Sequence, residues 1–480
     1  MPTGFVIPQS KVDAVPYRLS RTNILYLGVL CFVAGLGGLL FGFDTAVISG
    51  TIVFLKHQFQ LPPSMEGFIV SSGLVGCIAG SFCSGVISDR FGRKYVLLLS
   101  GILFGVCSVG CAVAAGVSGI ISFRFVGGLG VGIASMVSPL YIAEITPPHV
   151  RGRMVSFYQF SIALGVLTAY CSNSLLLHIA GTIDPAAVHG FLRTMLVDEV
   201  WRAMFGAMAV PAVLFILLVL FIPESPRWLV RIGLTDWAEQ ILAKIGGPDA
   251  AQQEIQEIRN TVATEEGSFS QLFAPGLRRA LLIGLMLPLF SQISGVNVII
   301  YYATSIFEKI GISRGSSLGM QAIIGLVCVV FTVVAMWKVD RFGRRPMLLF
   351  GTAMIALTLV LLGFTLREGE GGSGLLLFLF CWYVATFSAT IAPVVWVVIS
   401  EIFPTQIRGR AMSVGTTTLW ISCGLVAQTF PWLRDNVGVA ETFFIYAGVT
   451  APAVFFVGKL LPETKGKTLE EIEAYWRSRK

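Results

Sequence analysis

Of the chain's 480 residues, 55% are hydrophobic and only 13% charged, with a mean hydropathy of +0.79, whereas about a quarter of the residues of a soluble globular domain are charged. This excludes a soluble fold and points to a chain that lives in a lipid bilayer. The formal net charge of +7 is spread over alternate short loops rather than gathered into one patch, which excludes a nucleic-acid partner.

The first 23 residues are polar and read as a cytosolic N-terminus. The apolar run at 24–50 is too long for the core of a cleavable signal and reads as the first membrane span. Further runs follow at 67–87, 96–116, 119–142, 154–177 and 204–222, then at 280–306, 318–336, 347–365, 375–400, 411–430 and 443–461. Each approaches or exceeds the roughly 20 residues a helix needs to cross a hydrocarbon core of about 30 Å. The expected fold is an all-α membrane protein of twelve transmembrane helices, six in an N-terminal bundle over 24–222 and six in a C-terminal bundle over 279–461. Between the bundles, 223–278 is the one long hydrophilic segment. Its Trp237, Ile241, Leu242 and Ile245, then Ile255, Ile258 and Val262, recur at helical spacing, so short amphipathic helices on the cytosolic side are expected. Residues 371–374 read as an outer loop, and 462–480 as a cytosolic tail with Leu469, Ile472 and Trp476 as a short apolar stripe.

The two halves repeat one another. YIAEITPPHVRGR at 141–153 recurs as VISEIFPTQIRGR at 398–410, and GVISDRFGRK at 85–94 recurs as WKVDRFGRRP at 337–346. Each copy sits where an apolar run gives way to a short cationic loop, so the repeated unit is a membrane bundle. Threading from a cytoplasmic N-terminus leaves Lys56, Arg193, Lys309, Arg314, Arg367 and Arg434 on outer loops, with Arg124 and Arg202 in or at the ends of spans. The remaining Lys and Arg fall inside, the asymmetry of the positive-inside rule, with both termini cytoplasmic.

Enzyme chemistry is not expected. Gly128, Gly130 and Gly132 brush against a dinucleotide pattern, but they lie within an apolar span with no strand before them, and their better reading is close helix packing. There is no phosphate-binding GxxxxGK[ST] run. Four scattered histidines do not make a metal cage, and the nine cysteines all fall in spans as small apolar packers, so no metal or cofactor is expected. None of the five asparagines begins a glycosylation sequon, which favours a bacterial inner membrane.

Polar groups inside the spans carry the functional reading. Asp44, about twenty residues into the first span, and Arg124, about six residues into the fourth, reach the same outer half of the membrane at about 1.5 Å per residue. Ionisable residues at such depth are rare and pair with one another, so the two are expected to face each other. A carboxylate that can gain or lose a proton beside a permanently charged arginine suits proton coupling; a static ion pair holding two helices is the alternative. A second group comprises Gln159 in the fifth span, Gln292 and Asn297 in the seventh, Trp396 in the tenth and Trp420 in the eleventh. Amides donate and accept, and an indole offers an apolar face with one N–H donor, which together suit an uncharged, hydroxyl-rich ligand.

On GGLLFGFDTAVISG (37–50), DRFGRK (89–94), PESPRWL (223–229), QISGVNVIIYY (292–302), DRFGRR (340–345), SEIFPTQIRGR (400–410) and PETKGKTLEEIE (462–473), the chain resembles the sugar porters of the major facilitator superfamily along nearly its whole length. The likeness is strongest to bacterial proton-coupled xylose and hexose symporters. It implies two six-helix bundles rocking about a central site, functional as a monomer, that move a monosaccharide or related polyol into the cell with a proton. It also implies sugar contacts at Gln159, Gln292, Asn297, Trp396 and Trp420, with Phe41, Tyr301 and Phe387 closing the cavity. Asp44 takes the place of the proton-linked aspartate and Arg124 that of its regulating arginine. Asp89, Arg93, Glu144, Arg151, Arg153, Asp340, Arg344, Glu401, Arg408 and Arg410 take the places of the cytosolic charge network that latches the bundles while the carrier faces outward.

The chain departs from that pattern at four places. Ser291 replaces one of a glutamine pair, Cys328 a polar position in the eighth span, Leu419 an amide in the eleventh, and Val166 a second glutamine in the fifth. Each lost bond to a buried hydroxyl costs about 0.5–1.5 kcal/mol unless water substitutes, so neither glucose nor xylose follows from the resemblance. Passive uniport of sugars, carriage of another small solute, and a non-transporting receptor on the same scaffold are the competing readings; Asp44 argues against the first.

Overall fold

The computed structural model describes residues 21–264, 272–273, 277–368, 373–403 and 407–465, and within these the side chains of Asp340 and Arg408 lie outside the description. The apolar stripe at Leu469, Ile472 and Trp476 and residues 371–372 of the expected outer loop lie outside the described residues as well, while Ser373 and Gly374 already open the helix Ser373–Thr386. Among the described residues, eleven helical segments are long and apolar enough to cross a membrane: Asn23–Phe59, Pro63–Phe91, Arg93–Val113, Val117–Ile145, Val150–Thr182, Val200–Phe221, Arg278–Lys309, Arg314–Lys338, Arg344–Glu368, Ser373–Ile402 and Val439–Leu460. The twelfth, Arg408–Asn436, comes eleventh in the chain and is the most polar, yet its hydroxyls are satisfied within the helix. Thr416, Thr417, Thr418 and Ser422 each donate to the carbonyl four residues back, at 2.7–3.0 Å, which lets such residues enter an apolar layer without leaving donors unpaired.

Two six-helix bundles result. In the first, the second and fourth spans meet backbone to backbone: a Cβ added to Gly128 would lie 1.9 Å from the Gly73 carbonyl oxygen, and one added to Gly132 2.3 Å from that of Cys77. The glycines that brush against a dinucleotide pattern therefore serve helix contact. Outside the bundles, side chains such as Phe82 (81% exposed) and Phe221 (85%) leave a broad apolar surface that water disfavours.

Two spans are interrupted. The seventh breaks between Arg278–Ile293 and Val296–Lys309 at Gly295, whose φ of +86° suits glycine. Tyr383 in the tenth span pins the break by donating to the Ser294 carbonyl at 2.9 Å. The tenth span itself loosens into a π turn at Phe387–Ile391, just before Pro393 withdraws an N–H from the helical ladder.

Three helices, Pro226–Arg231, Thr235–Gly246 and Pro248–Thr264, join the bundles. Ser225 caps the first, accepting from the Trp228 N–H. In the middle helix, Ile241 and Ile245 enter the main core, while Leu242 packs with Ala251, Ile255 and Ile258. Trp237, expected in that stripe, is 51% exposed: it lies in the opening turn, ahead of the packed part of the helix. Val262 lies outside the described side chains. These helices define a linker face of the molecule, and the opposite ends of the spans form the far face.

On the far face the two halves are bonded together. Arg434 forks onto Glu66 with bonds of 2.8 and 2.7 Å, both residues 1% exposed. Arg434 was expected on an outer loop, but the eleventh span runs on past residue 430 to Asn436 and carries the guanidinium into the interface, where Glu66 neutralises it. Lys56 reaches Glu66 at 3.0 Å and Asp435 at 3.4 Å, and Ser71 donates to Gln428 at 2.7 Å; deeper between the halves, Tyr170 donates to the Ile300 carbonyl at 2.9 Å.

Candidate functional site

Asp44 and Arg124 face each other in the first bundle. The Arg124 Nη1 donates to Asp44 Oδ1 at 3.1 Å and to the Asp44 backbone carbonyl at 3.2 Å, and each residue is 3% exposed. Cys107 Sγ lies 3.8 Å from the same carboxylate oxygen, and Arg124 Nε has no partner. The guanidinium fits here because Gly73 leaves the room: a Cβ at that position would stand 3.1 Å from Arg124 Nη2. Arg124 thus keeps one donor in reserve beside the carboxylate.

The amide and aromatic residues gather around the break in the seventh span. Asn297 Nδ2 donates to Gln292 Oε1 across the break and to Cys423 Sγ at 3.0 Å, Gln292 Nε2 donates to Ser291 Oγ at 3.1 Å, and the Tyr301 hydroxyl lies 3.5 Å from Cys423 Sγ. One turn from Cys423, Trp420 tilts against Phe41 of the first span with ring centroids 5.5 Å apart. Its Nε1–H is buried without an acceptor. Gln292, Asn297 and Tyr301 are therefore joined through Cys423, and one turn along the same helix the Trp420–Phe41 contact reaches across to the other half. Gln159 on the fifth span, Trp396 on the tenth and Phe387 in the π turn are half-buried and stand outside that bonded cluster among the described residues. Cys328 accepts from Ser388 Oγ at 3.5 Å, so the departure in the eighth span keeps a polar contact.

At the linker face each half holds its own charge network. Arg93 forks onto Glu144 with two bonds of 2.9 Å and reaches Asp89 at 3.2 Å, while Arg231 reaches Asp89 at 2.9 Å. Arg344 donates to Glu401 at 2.9 Å in the second half. Arg151 bonds the Thr146 carbonyl at 3.3 Å and approaches Glu254 of the linker at 3.8 Å; Arg153 is exposed and Arg410 half-buried. Asp340 and Arg408 belong to the expected network, but their side chains lie outside those described.

Two residues of this network escape a reading for charge pairs. Glu224 accepts from the backbone N–H groups of Arg93, Lys94 and Ser225 at 2.8, 3.2 and 2.8 Å, and Glu463 accepts from those of Arg344, Arg345 and Lys465 at 3.0, 3.1 and 2.9 Å. Each cradles a loop glycine in a left-handed turn, Gly92 at φ +91° and Gly343 at φ +89°. Burial pushes the Glu224 carboxyl above its usual range despite its backbone donors and Arg93. Burial also opposes ionisation of Glu463, but less than its backbone donors favour it, and its carboxyl lies below the usual range. The signal in the sequence was the repeated Pro-Glu-[Ser/Thr] that ends each half, at 223–225 and 462–464.

Among the described residues no group of three or more His, Cys, Asp or Glu is placed to hold a metal ion. The profile of the family "Sugar (and other) transporter" matches residues 30–476. The chain belongs to that family. The transporter is 40% identical over 463 residues to the arabinose-proton symporter of Bacillus subtilis (strain 168), covering 96% of this chain and 97% of the relative. It is 39% identical over 492 residues to the D-xylose-proton symporter of Escherichia coli (strain K12), covering 95% and 97%. Among solved structures, the inward open conformation of the xylose transporter XylE from E. coli superposes with a TM-score of 0.81 at 38% identity, covering 94% of this chain and 100% of that one. XylE bound to 6-bromo-6-deoxy-D-glucose, described as a major facilitator superfamily proton:xylose symporter, gives 0.79 at 38% identity, covering 95% and 100%. The transporter therefore has the major facilitator fold of two six-helix bundles.

Proposed function

We propose that the protein is a carrier, not an enzyme, that brings a monosaccharide into the cell together with a proton by alternating access, with pentoses such as arabinose and xylose the first candidates. The observation that carries this reading is the buried Asp44–Arg124 pair standing in the same fold as an amide and indole cluster with an unpaired Trp420 donor. The uncharged cluster suits hydroxyls, and the carboxylate supplies a site for the coupled proton. Proton-symporter relatives at 39–40% identity support the same reading.

In this reading the linker face, where Lys and Arg are in excess, is cytoplasmic and the far face lies on the outside of a bacterial inner membrane, with the apolar outer surface of the bundles against lipid. With the far face bonded shut, the structure corresponds to a state closed to the outside. In this reading Asp89, Arg93, Glu144, Arg151, Arg153, Asp340, Arg344, Glu401, Arg408 and Arg410 hold the cytoplasmic side closed in the opposite state, and a monomer suffices. The test is uptake of labelled L-arabinose and D-xylose into proteoliposomes under an imposed pH gradient. Accumulation that collapses with a protonophore is the expected result; equilibration of sugar without accumulation would establish passive transport instead.

A further inference from the structure

Beyond the central cluster, a second set of uncharged polar side chains meets where the first, fifth and eighth spans converge. Ser49, Asn173 and Gln321 are each fully buried. Gln321 Nε2 donates to Ser49 Oγ from the opposite half, and Asn173 Nδ2 donates to the Val47 carbonyl at 3.2 Å within its own half. Both amide oxygens, Asn173 Oδ1 and Gln321 Oε1, are buried with no donor. An amide carbonyl left without a partner in an apolar interior costs about 1–3 kcal/mol, and here two stand in one interface.

Their level in the membrane is set by their neighbours. Tyr170 packs on Gly325, whose added Cβ would lie 3.0 Å from its ring. Asn173 lies one turn beyond Tyr170 along the fifth span, and Gln321 one turn before Gly325 along the oppositely directed eighth, so both lie one turn outward of that contact. Ser49 follows Phe41 by eight residues on the first span, which places it about 12 Å outward of the Phe41–Trp420 contact at about 1.5 Å per residue. The three residues therefore lie between the central cluster and the far face. When the halves part on that side, the Ser49–Gln321 bond breaks and a hydroxyl, an amide with free donors and two free carbonyls come to line the path inward.

We propose that Ser49, Asn173 and Gln321 form an outer station for the hydroxyls of a neutral sugar, occupied on the way to the central cluster. The set carries no charge and both donates and accepts, the chemistry of a polyol partner rather than of an ion. This inference rests on the sugar-carrier reading. The experiment is transport of D-xylose and L-arabinose in proteoliposomes of known orientation, with KM measured separately for passage from the far face and from the linker face. Asn173→Ala and Gln321→Met should each raise KM from the far face about three- to tenfold, the loss of about one hydrogen bond, and leave KM from the linker face unchanged. If the residues only seal the interface, Gln321→Met removes a bond holding the far face shut, and KM from that side falls instead, which overturns the station. Unchanged far-face KM in Asn173→Ala overturns it too, and that variant disturbs no bond between the halves. A parent protein that transports neither sugar overturns the carrier reading itself, and the station with it.

Discussion

Glu66 of the second span and Arg434 of the eleventh form a bidentate ion pair, with both side chains fully withdrawn from solvent and one on each side of the boundary between the halves. Lys56 lies against Glu66, Asp435 and the Ser305 hydroxyl lie against Arg434, and Lys309 in turn holds Asp435 at 3.0 Å. Removing one member of such a pair leaves a buried charge uncompensated, at a cost of about 3–5 kcal/mol. That exceeds the few kcal/mol separating the states of a bistable carrier. Glu66→Gln is expected to drive the protein toward the state open on the far face. A cysteine placed in the far-face cavity should react faster with a membrane-impermeant maleimide in that variant, and the exchanged pair Glu66→Arg with Arg434→Glu should return the rate toward the parent. Equal labelling in all three proteins would mean that the pair does not control closure.

The two cradling glutamates predict opposite responses to pH, although one motif encodes both. Glu463 has its folded-state pKa depressed, so the stability it contributes is present above its unfolded value near 4.3 and is lost as pH falls through the folded value. Glu463→Gln should therefore lower the Tm of the detergent-purified protein at pH 7, with the deficit shrinking below about pH 4.3. Glu224, more deeply buried, has a raised pKa, so its linkage contribution is fully present below the unfolded value and fades as pH rises through the folded one. A Glu463→Gln deficit constant from pH 7 to pH 3.5 would rule out the ionised carboxylate as the acceptor that matters.

Hydropathy and the internal repeat are enough to draw the twelve spans, because most apolar runs are bounded by charged loops and the short linker-face loops within the first half have twins in the second. The facing of Asp44 and Arg124 is legible too, since two rare charges at one depth have few other partners. What pairs across the halves is not. Glu66 and Arg434 sit at span ends, where charges are ordinary, and no periodicity links a residue of the second span to one of the eleventh. Asn173 and Gln321 likewise read as isolated amides until the fifth and eighth spans are placed together. The cradling role of Glu224 and Glu463 depends on the left-handed turns at Gly92 and Gly343, which the repeated motif does not announce. Trp237 shows the opposite failure: helical spacing placed it on the packed stripe, and its place in the first turn leaves it in solvent.

The buried indole of Trp420 offers a test of the central cluster. Its N–H has no acceptor in the closed structure, so Trp420→Phe removes an unsatisfied donor while keeping an aromatic face against Phe41. Stability should stay level or rise, and sugar affinity should fall about 2- to 13-fold if a hydroxyl accepts that N–H. Gln292→Ala removes a side chain bonded to Asn297 and Ser291 and should abolish sugar binding with expression intact. Isothermal titration with D-xylose and L-arabinose, alongside thermal melts without sugar, separates the two effects. Parent-like affinity in both variants would place the sugar elsewhere.

Asp44 should carry the coupled proton, and the geometry provides a variant that isolates that role. Asp44→Asn keeps the size of the side chain and an oxygen for Arg124, and the Arg124 bond to the residue-44 backbone carbonyl at 3.2 Å is untouched. Folding and helix placement should survive, while the group can no longer gain or lose a proton in the accessible pH range. Sugar binding should persist because the amide and indole cluster bonds through Asn297, Tyr301 and Cys423 and not through Asp44. In proteoliposomes the variant should exchange labelled for unlabelled sugar yet fail to accumulate it under an inwardly directed proton gradient. Static ion pairing would give another pattern, with exchange and accumulation lost or kept together. An Asn variant that still concentrates sugar when only a proton gradient is supplied would move the coupling site away from Asp44.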